Sequence, residues 1–306
     1  MANPHSGAGK THDLTGVAPA RGNRQVVSTP CKVNTYLGVH PGRDARGYHR
    51  VDSLMLPVAL YDEVVVSAAE TLAVCHEPAL EVPPERTTVW KAATLLAEAL
   101  GVEPRVRVDV CARIPERAGL GGSSADAGAT LRALAERWGV SARDERVVSV
   151  ARRVGADVPF FLDPEPGLYA GAGDTLVRTF SGVRLALALV MPTGAGASTA
   201  EAYAEFDRLG EDPVGSEAAC EALERGDARA IVGALYNNLA PAACALSDSV
   251  GWAAEWLAAQ EGVLGSQVTG SGACSFAICE DMAAAERIAC RARGAGWRAW
   301  ATHTIA

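Results

Sequence analysis

The chain reads as an α+β protein in two domains, with the boundary near residue 182. Three observations carry that reading. Segments of strand and helix character follow one another without strict alternation, which argues against a doubly wound parallel sheet. The chain has 306 residues, 49% of them hydrophobic, enough for two cores or one large one. After Met191 the composition changes, and Ala and Glu dominate. On this division residues 1–24 form a tail, 25–182 an N-terminal domain and 183–306 a C-terminal domain. The tail is rich in Gly, His, Asn and Thr and lacks the apolar core of a signal peptide, so it is expected to be disordered.

The elements follow in order. Residues 26–39 predict a strand broken by Pro30, ahead of a polar turn at 41–47. Residues 51–60 and 63–67 predict two further strands. The stretch 89–100 has the apolar spacing of an amphipathic helix, and Gly101 ends it. Val106, Val108 and Val110 alternate with Arg105, Arg107 and Asp109, the pattern of a strand. In the next helix Leu131, Leu134, Ala135 and Trp138 share one face, Arg132, Glu136 and Arg137 the other, and Gly139 stops it. Residues 144–154 form another helix, closed by Gly155; 167–180 are Gly-rich and extended; 185–190 form a buried strand. Helices are expected over 199–209, 216–225 and 250–260. Strands at 265–269 and 274–279 flank Gly270-Ser271-Gly272, and a helix over 282–293 and a strand over 297–303 complete the chain.

Composition limits the function. A net charge of −8 is not that of a nucleic-acid binder, which shows a basic stripe. The apolar run 185–191 is far too short to span a membrane, and the expectation is a cytoplasmic protein. The eight cysteines are scattered without a CxxC pair, so they read as buried reduced thiols, not as a zinc site or a disulfide framework. Only Lys10, Lys32 and Lys91 are lysines; arginine is the default cation, so a lysine marks a place that calls for a compact ammonium. Gly9-Lys10-Thr11 is not a P-loop, because Pro4 stands in place of the first glycine and no strand precedes it.

Four segments carry chemistry. Residues 114–127 place Gly119, Gly121 and Gly122 just before Ser123, Ser124 and Asp126. Glycines let the chain bend tightly and a ligand come close. The hydroxyls and Asp126 stand where they can cap the next helix, whose first N–H groups hold an anion without lysine. The bland alternative is an ordinary Gly-Gly turn with a serine cap. Lys32 and Asn34, two apart on a strand, share a face, either as a working pair or as a solvent-facing edge. Asp157 lies between the helix stop Gly155 and the apolar run that begins at Val158, suiting a cap or a desolvated proton acceptor. Gly47-Tyr48-His49 offers a ring and an imidazole to a base after a flexible loop, or is a buried tyrosine beside a surface histidine.

In order, Pro30-Cys31-Lys32-Val33-Asn34, Gly47-Tyr48-His49, Gly119 to Asp126, Gly155-Ala156-Asp157-Val158-Pro159, Ser198-Thr199-Ala200-Glu201-Ala202-Tyr203 and Thr269-Gly270-Ser271-Gly272-Ala273-Cys274 resemble the motif set of the GHMP small-molecule kinases, over residues 26–280. The resemblance implies a two-domain GHMP kinase-like α+β fold with its active site in the cleft between the domains. It implies ATP as co-substrate, Mg²⁺, a small-molecule acceptor, and a monomer or homodimer. Within the family the chain is most similar to members whose acceptor is a cytidine-bearing methylerythritol, phosphorylated on its C2 hydroxyl on the non-mevalonate route to isoprenoids. Asp157 then matches the base that takes the hydroxyl proton, Lys32 its partner, and Asn34 an orienting amide. Tyr48 and Tyr203 match a sandwich for cytosine, His49 a reader of its polar edge, and Thr199 a neighbour of that pocket. Gly119, Leu120, Gly121, Gly122, Ser123 and Ser124 match the phosphate loop, and Gly270, Ser271 and Gly272 the C-terminal glycine motif. Ser123 follows only two glycines, Cys31 replaces a usual alanine, Thr87 stands where an asparagine near adenine is common, and Asn237-Asn238 matches its motif only loosely. The rival readings are another kinase of this family, acting on homoserine, mevalonate or a sugar, and a non-catalytic nucleotide-binding relative.

Overall fold

In the computed structural model, residues 24–194 and 198–306 are described. Except for Arg24, the expected tail, with Gly9-Lys10-Thr11, lies outside the described residues.

The first sheet is built on two long antiparallel strands, β1 (Gln25–Arg43) and β2 (His49–Ala68). The sequence suggested a break at Pro30 and another between residues 60 and 63. Both strands instead run through. The register shifts between Pro30 and Cys31, so a local irregularity accommodates a residue that has no N–H to give the ladder. The turn between the strands is braced: Asp44 Oδ1 accepts the N–H groups of Arg46 and Tyr48, both at 2.9 Å, where a flexible loop was expected. A strand not foreseen, β3 (Ala73–Glu77), runs parallel to β4 (Val106–Cys111) at the sheet edge. The extended stretch 167–180 is a hairpin, β5 (Gly167–Ala170) and β6 (Thr175–Thr179), attached to β2.

Three helices, α1 (Thr88–Leu100), α2 (Gly122–Arg137) and α3 (Glu145–Val154), pack with this sheet. Val64, Val66 and Val108 meet Leu96, Leu131, Leu134, Val147 and Val150 in one buried cluster. Thr87 caps α1 by accepting the Trp90 N–H, and left-handed Gly101 closes it. Asp144 is the cap of α3, so that helix starts one residue after its predicted beginning.

The second sheet begins with β7 (Ala186–Met191). Then come α4 (Thr199–Leu209), α5 (Glu217–Arg225) and α6 (Ala228–Gly233). The short β8 (Tyr236–Asn237) returns to pair in parallel with β1 of the first sheet. After α7 (Ala240–Leu246) and α8 (Asp248–Ala258), the strands β9 (Val263–Val268) and β10 (Ser275–Cys279), helix α9 (Met282–Gly294) and β11 (Arg298–His303) complete the chain. The strand order is β11-β7-β10-β9. No helix among the described residues is long and apolar enough to cross a membrane.

The two sheets share a core. Cys31, Val33, Leu56, Phe160 and Phe161 cluster with Leu187, Leu189, Phe276 and Ile278. Hydrogen bonds cross at the same seam: Thr302 Oγ1 donates to Ala59 O at 2.9 Å, and the Ile305 N–H to Pro57 O at 2.9 Å.

Helix α2 departs from the expected two-faced pattern. Residues 125–131 are buried on every side, and only its second half keeps an exposed face. It packs against α1, β1, β2 and the 3₁₀ turn Val158–Leu162. At Gly128 a Cβ atom would stand 2.4 Å from Phe161 Cβ. Replacing glycine by alanine inside a helix ordinarily stabilises it by about 1 kcal/mol. Here the sign reverses: Gly128→Ala lowers stability by about 1–3 kcal/mol through overpacking. Urea unfolding checks this, and an unchanged or raised midpoint would show that the α2–Phe161 contact has room to give.

Candidate functional site

The loop between β4 and α2 is the glycine segment. Gly121 is the N-cap of α2, left-handed at φ 79°, and no side chain caps the helix. Ser123, Ser124 and Asp126 therefore do not cap it, contrary to expectation. The left-handed turn starts the helix at Gly122, which places the serines inside its first turn and turns Asp126 into the protein. The N–H groups of Gly122 and Ser123 are left without an intrahelical acceptor, at the positive end of the helix. Leu120 is fully buried and reaches the site only through its backbone: its carbonyl accepts the Lys32 N–H at 3.0 Å.

A second glycine turn, Gly270-Ser271-Gly272, lies against the first. Gly119 has φ 72°, and a Cβ there would fall 2.0 Å from Thr269 O. No other residue fits. The N–H groups of Ala273 and Cys274 donate to Arg117 O and Ala118 O at 3.0 and 3.1 Å. Asn237 braces the second turn, its Nδ2 donating to Val268 O at 2.8 Å and Gly270 O at 2.9 Å. Residue pattern marked Asn237 only as part of a loose motif match, because its place depends on the β8–β1 pairing.

Lys32 and Asn34 do share a face of β1. Lys32 Nζ donates to Asn34 Oδ1 at 2.6 Å and stands 3.7 Å from Asp157 Oδ2. Lys32 is buried, whereas the Asp157 side chain keeps 35% of its exposure. Asp157 precedes the 3₁₀ turn but makes no side-chain cap, so its carboxylate is left to the cleft. Asn34 is held on every side: its Nδ2 donates to Ser53 Oγ at 2.8 Å, and its Oδ1 also accepts from Thr269 Oγ1 at 3.2 Å.

The same cleft holds the rings. His49 Nδ1–H donates to His40 O at 3.0 Å. Its Nε2 lies 3.1 Å from Asp207 Oδ1, outside hydrogen-bonding geometry. Its ring stacks on Tyr203, centroids 5.2 Å apart. Tyr48 is half exposed, with the Arg46 guanidinium over its ring. Thr199 Oγ1 and Ser271 Oγ are 3.2 Å apart, joining α4 to the second glycine turn. All the predicted residues except Leu120 line one cleft of about 1310 Å³. That exceeds the roughly 300–1,000 Å³ of a single small-molecule pocket.

Asp62 and Asp126 also line this cleft, and no sequence signal marked them as a pair. Asp62 Oδ1 accepts the N–H groups of Arg113 and Ile114, where the chain enters the glycine segment. Burial, and then the Asp62 charge, push the Asp126 carboxyl well above the usual carboxylate range. Burial raises Asp62 as well, partly opposed by those two N–H donors.

The model of the GHMP kinases N terminal domain matches residues 87–163, and that of the GHMP kinases C terminal domain matches 219–297. A 4-diphosphocytidyl-2-C-methyl-D-erythritol kinase of Desulfitobacterium hafniense is 34% identical over 278 residues, 90% of this chain and 93% of that protein. One from Streptomyces coelicolor is 36% identical over 281 residues, covering 88% and 92%. The crystal structure of a 4-(cytidine 5'-diphospho)-2C-methyl-D-erythritol kinase, 30% identical, matches with a TM-score of 0.75 over 92% of this chain and 100% of that one. The L. major mevalonate kinase in complex with R-mevalonate, 17% identical, matches over 94% and 98% with a TM-score of 0.68 and shares the fold.

The Asp62–Asp126 pair makes stability depend on pH. A carboxyl raised in the folded state favours folding in acid, and that contribution is lost as pH rises through its folded value. Asp126→Asn removes the titration. Its urea midpoint should match the parent in acid and exceed it increasingly toward alkaline pH. Parallel pH profiles for the two proteins would show that the pair does not titrate in this way.

Proposed function

The chain belongs to the GHMP kinase family, and from that premise we propose that it transfers the γ-phosphoryl group of ATP to the C2 hydroxyl of 4-diphosphocytidyl-2-C-methyl-D-erythritol. The observation that carries this reading is what one cleft brings together: a buried lysine beside a carboxylate, two glycine turns, and aromatic rings. We divide the chain near residue 182, with β8 crossing back into the first sheet.

In this reading the triphosphate lies on Gly119 to Ser124, held by the free N–H groups at the start of α2. The acceptor hydroxyl is oriented beside Asn34 and gives its proton to Asp157 as its oxygen bonds to the γ-phosphorus. The bond from that phosphorus to the bridging oxygen breaks, and ADP leaves with the electron pair. Lys32, held in place by Asn34, sits beside both the carboxylate and the attacking oxygen. Such transfer depends on position and charge neutralisation more than on covalent chemistry, so few side chains suffice. The cytosine rests against Tyr48 and the Tyr203–His49 stack. The hydroxyls of Ser123 and Ser124 and the carboxylate of Glu116, which line the cleft, are hard oxygen donors of the kind Mg²⁺ takes. We assign Mg²⁺ to that side, where these oxygens would hold it and it would neutralise charge on the phosphates. We place the enzyme in the cytoplasm, where thiols such as exposed Cys75 and Cys290 stay reduced.

A coupled ADP-release assay tests the acceptor. Turnover is expected with the cytidyl compound and not with mevalonate or homoserine; the reverse pattern overturns the assignment. Asp157→Asn should lower kcat by about 10²–10⁴-fold while acceptor affinity is retained. Tyr48→Ala should chiefly raise the acceptor KM, by about 1–3 kcal/mol in binding terms. A loss confined to kcat would remove Tyr48 from the base site.

A further inference from the structure

Among the described residues, Arg117 is the only non-glycine residue with a left-handed backbone, at φ 52°. Its neighbours in the loop solve the same problem with glycine, at Gly119 and Gly121. A side chain at such a position is strained, and it persists where the surroundings hold it and something uses it. The surroundings are plain: Arg117 O accepts the Ala273 N–H at 3.0 Å, which ties the loop to the second glycine turn.

The guanidinium has no such tie. Arg117 is exposed and lines the cleft, and no hydrogen bond or ion pair engages its side chain among the described residues. Of the other arginines of the cleft, Arg298 lies over the Trp300 ring, and Arg86 and Arg113 stand outside the glycine segment. Arg43 is bound to Asp207 at 2.6 Å. Arg117 does act electrostatically on Glu201, but that carboxylate is already taken by the Ser198 N–H at 2.6 Å. Residues 114–127 hold no other cation. The backbone N–H groups of the loop are neutral donors, whereas a triphosphate brings several negative charges. A guanidinium presents a planar fork of N–H donors that matches phosphate oxygens two at a time.

We propose that Arg117 is an ATP-binding residue whose guanidinium closes over the phosphates seated on the glycine loop. The proposal rests on the assignment of ATP to that loop, made above. The strained backbone aims the side chain, and the second glycine turn holds the aim.

Two substitutions separate this role from a structural one. Arg117→Gly removes the guanidinium and the strain together; Arg117→Asn tolerates the left-handed backbone but has no charge. ATP affinity is measured by titration calorimetry without acceptor, followed by KM for each substrate and the thermal midpoint. Both variants should weaken ATP binding about tenfold or more, as expected for loss of charged hydrogen bonds. The acceptor KM should stay within about twofold, and the midpoint of Arg117→Gly should be unchanged or higher. Arg117→Lys should recover part of the ATP affinity. Unchanged ATP affinity in Arg117→Gly overturns the proposal. So does a lowered midpoint with ATP and acceptor affinities falling together, which marks a structural role. If the parent chain binds no ATP, the proposal falls with the function above. If the parent binds ATP but does not phosphorylate the cytidyl compound, only the acceptor assignment falls.

Discussion

Gly119 lies against the backbone of Thr269 so closely that a single methyl group would collide with it. The rest of the site is arranged around that contact. It lets the N–H groups of Ala273 and Cys274 reach the carbonyls of Arg117 and Ala118, so two glycine segments 150 residues apart form one wall. Thr269 also accepts the Asn34 N–H on its hydroxyl at 3.1 Å, and Gln267 Nε2 donates to Asn34 O at 2.7 Å. The seam between the sheets is thus continuous with the site. A wall cross-linked in this way holds its donors in place before any ligand arrives, which is the condition under which fixed dipoles act most strongly.

Behind the wall lies a polar hub that burial makes exacting. A buried ammonium is costly unless it is paired and hydrogen-bonded. Lys32 has Asn34 and Asp157, and Asn34 in turn has Ser53 and Thr269. Each partner is held by another element, so the ammonium has little freedom to move. Asp157 is the exception, partly exposed and uncapped, and it is the group that the proposed chemistry asks to exchange a proton.

Much of this was legible in the chain, and the failures have physical causes. The strand–loop–helix around Gly119 was readable because glycine spacing and apolar periodicity are local signals. Lys32 and Asn34 followed from the two-residue repeat of a strand. The capping role given to Ser123 and Ser124 failed because a left-handed Gly121 starts the helix early, and with three glycines in the loop the residue types do not say which of them turns the chain. β1 and β2 were cut short because propensity penalises Pro30 and the polar run near Asp62, whereas pairing over nearly twenty residues carries the strand past both. Asp126 looked like a cap residue and is a buried carboxyl facing Asp62, more than sixty positions away. Tyr203 was picked out as a ring for the base, but its stacking on His49 joins two elements whose approach only the fold creates.

What the sequence by itself determined was local: which segments bend, which alternate, which carry a cation or an acid, and the order of motifs that marks the family. These are properties of neighbouring residues, set by sterics and by periodicity. What only the tertiary structure decided was partnership. The contact of Gly119 with Thr269, the brace of Asn237 on the second turn, the pairing of Asp62 with Asp126 and the free guanidinium of Arg117 all depend on segments far apart in the chain. Close packing brings such groups within a few ångströms and removes the water between them, and the strength of each interaction follows from that exclusion.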